Sequence, residues 1–170
     1  MKKNQKGFSL IELLIVVAII LIIAAIAIPN LLRARIAANQ ASAVGSLRTI
    51  STSEVTFAST YNDGFSPNLV TLSAAAGTTT ATCTSAALID EVLGSGIKSG
   101  YTFVYVPGAN ASGTGTVPAG CAGWGPTTFS VSGVPTTLQQ TGQNGYYVDA
   151  SGVVRYTTDG SVPTATSPAL

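Results

Sequence analysis

Residues 8–28 read FSLIELLIVVAIILIIAAIAI, and the last sixteen of them, from Leu13 to Ile28, carry no polar side chain. A helix formed by all of residues 8–28 spans about 31 Å, close to the ~30 Å hydrocarbon thickness of a bilayer. Three lysines, Lys2, Lys3 and Lys6, precede the run. By the positive-inside rule they keep the leading segment in the cytoplasm. The run therefore predicts a membrane-spanning helix that sends the rest of the chain outward.

One charged side chain, Glu12, interrupts the apolar run. A carboxylate near the centre of a membrane helix costs about 2.5–3.5 kcal/mol, and less toward the interface. One interpretation is that Glu12 reaches the headgroups at the cytoplasmic face. The interpretation that we favour is that another chain supplies a positive partner, because an unpaired charge in apolar surroundings is expensive.

The segment from Lys6 to Pro29 resembles the class III signal of type IV pilins and pseudopilins, almost position by position. The resemblance implies that a prepilin peptidase cleaves between Gly7 and Phe8 and N-methylates Phe8. It also implies that Glu12 pairs with the amino-terminal amine of a neighbouring subunit during assembly. This would supply the positive partner that the buried charge requires.

Two other interpretations remain open. A pseudopilin of a type II secretion system carries the same amino-terminal motif. Alternatively, residues 25–27 form an A-x-A sequence typical of secretory signal cleavage, which would release a soluble binding protein that begins at Ile28. Three features disfavour such cleavage: the length of the apolar run, Glu12 within it and Pro29 just after it.

The helical pattern continues beyond Pro29, a residue that removes one backbone hydrogen bond and predicts a kink. Apolar residues then recur at helical spacing, which indicates an amphipathic helix; they are Val44, Leu47, Val55 and Ala58, widened by Ile50 and Phe57. We expect four parts: a leader 1–7, a transmembrane and filament-core helix 8–29, an amphipathic helix 30–59 and a β-rich head 60–170 that begins with a connector 60–99.

The head contains alternating apolar residues that are typical of strands. They predict strands over 100–106, 127–132, 145–149 and 153–156, the last two as a hairpin, and a short helix over 85–93 in the connector. The predicted fold class is α+β. A long amino-terminal helix, transmembrane in its first half and amphipathic in its second, would pack on a small antiparallel sheet, as in pilins.

Two cysteines, Cys83 and Cys121, lie in the part expected outside the cytoplasm, where disulfides persist. We expect them to form a disulfide. On the chain-entropy view, the loop of about 39 residues that it closes corresponds to a stabilisation of roughly 4 kcal/mol. A head with a small core would gain much from it.

The composition disfavours several kinds of function. Only 9% of the 170 residues are charged and none is His, which excludes His-based catalytic triads and His-ligated zinc. Eight basic residues against seven acidic ones give no nucleic-acid footprint. The acidic residues of the head, Asp63, Asp90, Glu91, Asp149 and Asp159, have no helical i,i+4 pair, and we expect Asp149 and Asp159 to cap turns. We therefore expect no enzyme activity, metal site or cofactor.

The predicted function is that of a structural subunit of a type IV pilus. The precursor would sit in the inner membrane, with its leader in the cytoplasm and its head in the periplasm, and the processed subunit would polymerise into a surface filament. The implied partners are identical pilin subunits, the prepilin peptidase and the pilus assembly platform.

Overall fold

The computed structural model describes residues 8–74, 80–110, 120–121 and 123–170. The chain divides into two compact units, Met1–Arg35 and Ile36–Leu170. The leader, including Gly7, lies outside the described residues.

The first described element is a 52-residue helix, α1, over Leu10–Tyr61, with Pro29 inside it. Within residues 8–35 the apolar side chains of this helix are exposed, except Ala24, which is half-buried. The helix is long and apolar enough to cross a membrane by length and composition. This agrees with the expected apolar amino-terminal helix, and the kink at Pro29 stays a prediction.

The second unit contains the remaining elements, two short helices and five strands. Their bounds are α2 Leu69–Leu72, α3 Glu91–Gly94, β1 Ile97–Lys98, β2 Tyr101–Pro107, β3 Phe129–Pro135, β4 Gly145–Asp149 and β5 Arg155–Thr157. The strands form one antiparallel sheet in chain order, with each strand hydrogen-bonded to the next. The α+β fold predicted from the sequence is confirmed.

The buried core lies between the carboxyl-terminal half of α1 and the sheet. The helix contributes Ala43, Leu47, Ile50 and Phe57, and the sheet contributes buried aromatic and branched residues such as Tyr101 and Val131. Burial raises the pKa of the Tyr101 phenol to about 12, and its hydroxyl donates a hydrogen bond to the Asn144 carbonyl at 2.9 Å. The aromatic residues of the strands therefore serve packing, as the alternation predicts.

The buried face of α1 is rotated from the predicted one. Leu47, Ile50 and Phe57 are buried as expected, but Val55 is exposed and Ala58 is only half-buried. The centre of the buried face is taken instead by Glu54, which is 0% exposed. The pattern of apolar residues predicts a different face because it treats a carboxylate such as Glu54 as an exposed residue.

The prediction of a helix over 85–93 is wrong except at its end, where α3 begins at Glu91. Residues 86–89 are not helical and lie beside the end of α2, where the Ala86 and Leu88 amides bond to the Thr71 and Leu72 carbonyls at 2.8 Å each. Asp90 starts α3, because its side chain accepts a hydrogen bond from the Leu93 amide at 2.7 Å. A carboxylate at the N-cap fixes the beginning of a helix at the next residue.

Candidate functional site

The amino-terminal end of α1 is capped by its own side chains. Ser9 precedes the first helical residue, and its backbone N–H donates to Glu12 Oε2 at 2.9 Å. The Ser9 carbonyl accepts the first helical hydrogen bond, from the Leu13 amide at 3.3 Å. A glutamate three residues after a serine N-cap that returns to the cap amide is one half of a capping box.

The capping geometry determines the surroundings of Glu12. Its carboxylate lies in the first turn of α1, where the unpaired backbone N–H groups and the helix dipole favour negative charge. Phe8, the residue before the cap, has 77% of its surface exposed. The structure thus places Phe8, Ser9 and Glu12 together at one helix terminus. The Glu12 carboxylate is hydrogen-bonded to Ser9, the residue that follows Phe8.

The sequence Ser-x-x-Glu at residues 9–12 is itself a signature of the capping box. The capping role was not predicted, because Glu12 was considered only as a costly charge in an apolar run. The signal was available without any structure.

A buried polar network in the second unit was also missed. Glu54 accepts two hydrogen bonds from Ser66, one from its backbone N–H at 2.8 Å and one from its hydroxyl at 2.6 Å. The Tyr105 hydroxyl donates to the Ser66 carbonyl at 2.6 Å. The network joins α1, the residues that follow it and β2.

Burial of this network shifts the acidities of its members. Burial raises the pKa of the Glu54 carboxyl above its ordinary value of 4.5, although the hydrogen bonds from Ser66 oppose the shift. Burial, followed by the nearby Glu54 charge, also raises the pKa of the Tyr105 phenol well above its usual range. Since Glu54 lies four residues after Ile50 and three before Phe57, its place on the buried face was readable from the helical period.

The predicted disulfide between Cys83 and Cys121 is present, with a Cα–Cα distance of 5.0 Å. Asp63 Oδ2 lies 3.6 Å from Cys83 Sγ. Disulfide sulfurs are not thiolates and do not serve as metal ligands in the way that free cysteines do. This group of Asp63 and two cysteines is therefore not a metal site.

The predicted turn caps at Asp149 and Asp159 are confirmed. Asp149 Oδ1 accepts the Ser151 amide at 2.9 Å, and Asp159 Oδ1 accepts the Ser161 amide at 3.0 Å. The hydroxyls of the same serines bond to the same oxygens. The hydrogen bonds to Ser161 lower the pKa of Asp159.

An exposed apolar helix with a capped glutamate in its first turn, followed by a unit in which helix packs on antiparallel sheet, defines a pilin-like architecture. Comparisons with known proteins agree. Residues 2–28 match the family described as "Prokaryotic N-terminal methylation motif".

Two curated relatives are type IV pilus proteins. The chain is 70% identical over 37 residues, 22% of its length, to the type IV wide pilus major component PilA4 of Thermus thermophilus, and this region is 28% of that protein. It is 43% identical over 72 residues, 38% of its length, to the type IV major pilin protein PilA of Myxococcus xanthus, of which it covers 33%. The matches thus span a third or less of each relative, and no solved structure matches significantly.

Proposed function

We propose that the chain is a structural subunit of a type IV pilus, synthesised as a prepilin and polymerised into a filament. The single observation that carries the proposal is the methylation motif over residues 2–28, placed at the start of an exposed apolar helix. Both curated relatives are named as major pilus components. The helix-on-sheet fold of the second unit supports the same role.

In this proposal the prepilin peptidase cleaves between Gly7 and Phe8 and methylates the Phe8 amine. The exposure of Phe8 supports its access to an enzyme. Loss of Lys2, Lys3 and Lys6 would change the net charge of the chain from +1 to −2. The precursor is anchored in the inner membrane by α1, with the leader in the cytoplasm and the head outside.

Assembly in this proposal pairs Glu12 of one subunit with the amino-terminal amine of its neighbour, and an assembly platform drives polymerisation. The exposed apolar surface of residues 13–28 is what a lipid bilayer covers before assembly and what other copies of the chain would cover afterwards. The role of the chain is structural rather than catalytic.

Mass spectrometry of filaments sheared from cells that express the full chain tests the proposal. The first basic residue after Gly7 is Arg33, so trypsin yields residues 8–33 from the processed chain and residues 7–33 from the precursor. We expect the peptide that begins at Phe8, heavier by about 14 Da for one methyl group.

Two outcomes would contradict the proposal. A mature chain that begins at Ile28 would identify a secreted protein. Absence of the chain from filaments, together with loss of an exported enzyme when the chain is deleted, would identify a pseudopilin.

A further inference from the structure

A cavity of about 210 Å³ lies in the second unit, near the carboxyl-terminal end of α1. Its walls include Phe57, Asp63, Asn110 and Trp124. One water molecule occupies about 30 Å³ in the liquid, so the cavity has room for a ligand of a few non-hydrogen atoms. The cavity shares no residue with the amino-terminal segment.

Asp63 lies on this wall with only 4% of the residue exposed. Its Oδ1 accepts the Gly125 amide at 3.3 Å. Its Oδ2 lies 3.6 Å from Cys83 Sγ, but this sulfur is bonded to Cys121 and carries no hydrogen to donate. Among the described residues, Oδ2 therefore accepts no hydrogen bond.

The backbone holds Asp63 in this position. The Gly125 amide donates to the Asp63 carbonyl at 2.6 Å, and the Phe65 amide donates to the Pro126 carbonyl at 2.8 Å. A Cβ added to Gly125 would lie 2.5 Å from the Asp63 carbonyl oxygen, so only glycine allows this approach. These bonds fix the main chain of Asp63 against the segment that contains Gly125.

No positive side chain in the described part of the molecule neutralises Asp63. The ion pair found there joins Lys98 to Asp90. A buried carboxylate with one oxygen left without a donor and with no countercharge is costly, because the folded chain does not replace all the hydrogen bonds that it made with water. A cation that carries a hydrogen-bond donor would supply both the missing hydrogen bond and the countercharge.

The lining selects an organic cation over a metal ion. Calcium requires six to eight oxygen ligands, whereas the side chains that line this cavity offer one carboxylate, the Asn110 amide and the hydroxyls of Thr71 and Thr84, beside apolar and aromatic groups. The aromatic rings of Phe57 and Trp124 attract cations through their faces and pack against alkyl chains. The unsatisfied Oδ2 further favours a cation that carries a hydrogen-bond donor, which a quaternary ammonium lacks.

We propose that this cavity binds a small organic cation with a primary ammonium group, which donates a hydrogen bond to Asp63 Oδ2 while its alkyl part packs between Phe57 and Trp124. The chain contains a single tryptophan, Trp124. Its fluorescence therefore reports occupancy of the cavity without any label.

The test is a titration of the full chain in detergent micelles with n-butylammonium chloride at constant ionic strength. We expect a saturable change in Trp124 emission. n-Butanol, which has the same alkyl chain without charge, and tetramethylammonium, which has charge without a donor, should bind about ten-fold or more weakly, as loss of a charge-assisted hydrogen bond predicts. An equal response to n-butanol, or no saturable response to n-butylammonium, would overturn the proposal.

Two variants that each remove one negative charge complete the test. Asp63→Asn should weaken n-butylammonium binding about ten-fold or more. Glu91→Gln changes an exposed carboxylate outside the cavity and should leave the binding curve unchanged. Unaltered binding in Asp63→Asn would refute the assignment. If that variant does not fold, the comparison of the three ligands on the unmodified chain decides.

Discussion

The Glu54 network predicts that two substitutions of one residue differ sharply in their effect on stability. Glu54→Ala removes the two carboxylate oxygens that accept from Ser66 and leaves the buried Ser66 backbone N–H without a partner, which costs about 1–3 kcal/mol. The vacated volume in the core adds to this cost, while removal of a buried charge offsets part of it. We expect a net loss of about 2–4 kcal/mol in the free energy of unfolding.

Glu54→Gln should be tolerated, because the network can be satisfied again. The Gln carbonyl can accept the Ser66 amide, and the Gln amide group can donate to the Ser66 hydroxyl. The hydroxyl proton then has an acceptor in the Asn68 carbonyl, which already lies 3.1 Å from it. We expect a loss of about 1 kcal/mol or less.

The assay is denaturant unfolding of the full chain in detergent micelles, followed by Trp124 fluorescence, with the disulfide kept oxidised. Glu91→Ala, at an exposed position, is the control and should change stability by about 0.5 kcal/mol at most. Equal destabilisation by Glu54→Gln and Glu54→Ala would refute the rearrangement of the network. A Glu54→Ala variant as stable as the control would refute the structural importance of the network itself.

Three further predictions follow from the same contacts. Because burial raises the folded-state pKa of Glu54 above 4.5, its contribution to stability is present below pH 4.5 and is lost as pH rises through the raised pKa; Glu54→Gln should flatten this dependence in unfolding curves measured across pH. Reduction of Cys83–Cys121 should lower the free energy of unfolding by about 4 kcal/mol, measured with and without reductant. Glu12→Gln should leave membrane insertion intact and reduce the yield of sheared filaments, and a normal yield would contradict pairing through charge.

The elements that the sequence predicts well are long or strongly patterned. The apolar run of residues 13–28 strongly favours a helix. The alternation in 100–106 predicts a strand, which the structure shows one residue further along as β2, Tyr101–Pro107. The disulfide also follows from composition and the expected compartment. In each case the determining signal is local or depends on very few residues.

What the sequence does not predict depends on partners far along the chain. The strand β1 has two residues, and α2 and α3 have four each, so hydrogen bonds to neighbouring segments rather than propensity define them. Burial of Glu54 depends on Ser66, twelve residues later, which supplies both donors. The same limit hid the Asp63 cavity, because Gly125 and Trp124 join its wall from about 60 residues away.

Glu12 needs a hydrogen-bond donor, which its own chain supplies, and a positive partner, which another chain can supply. Within one chain its Oε2 already accepts the Ser9 amide at the positive end of α1, so the cost of a carboxylate in the apolar run is partly met without any neighbour. Desolvation of Glu12 alone therefore does not require a second subunit. What another chain can add is a positive charge. After cleavage, the ammonium group of Phe8 would lie next to Ser9 of the same chain, and the neighbouring subunit would carry an equivalent ammonium group. Because Glu12→Gln preserves a cap acceptor and removes only the charge, its effect on filament yield isolates the ionic part of assembly from the helix-capping part, which Glu12→Ala cannot do.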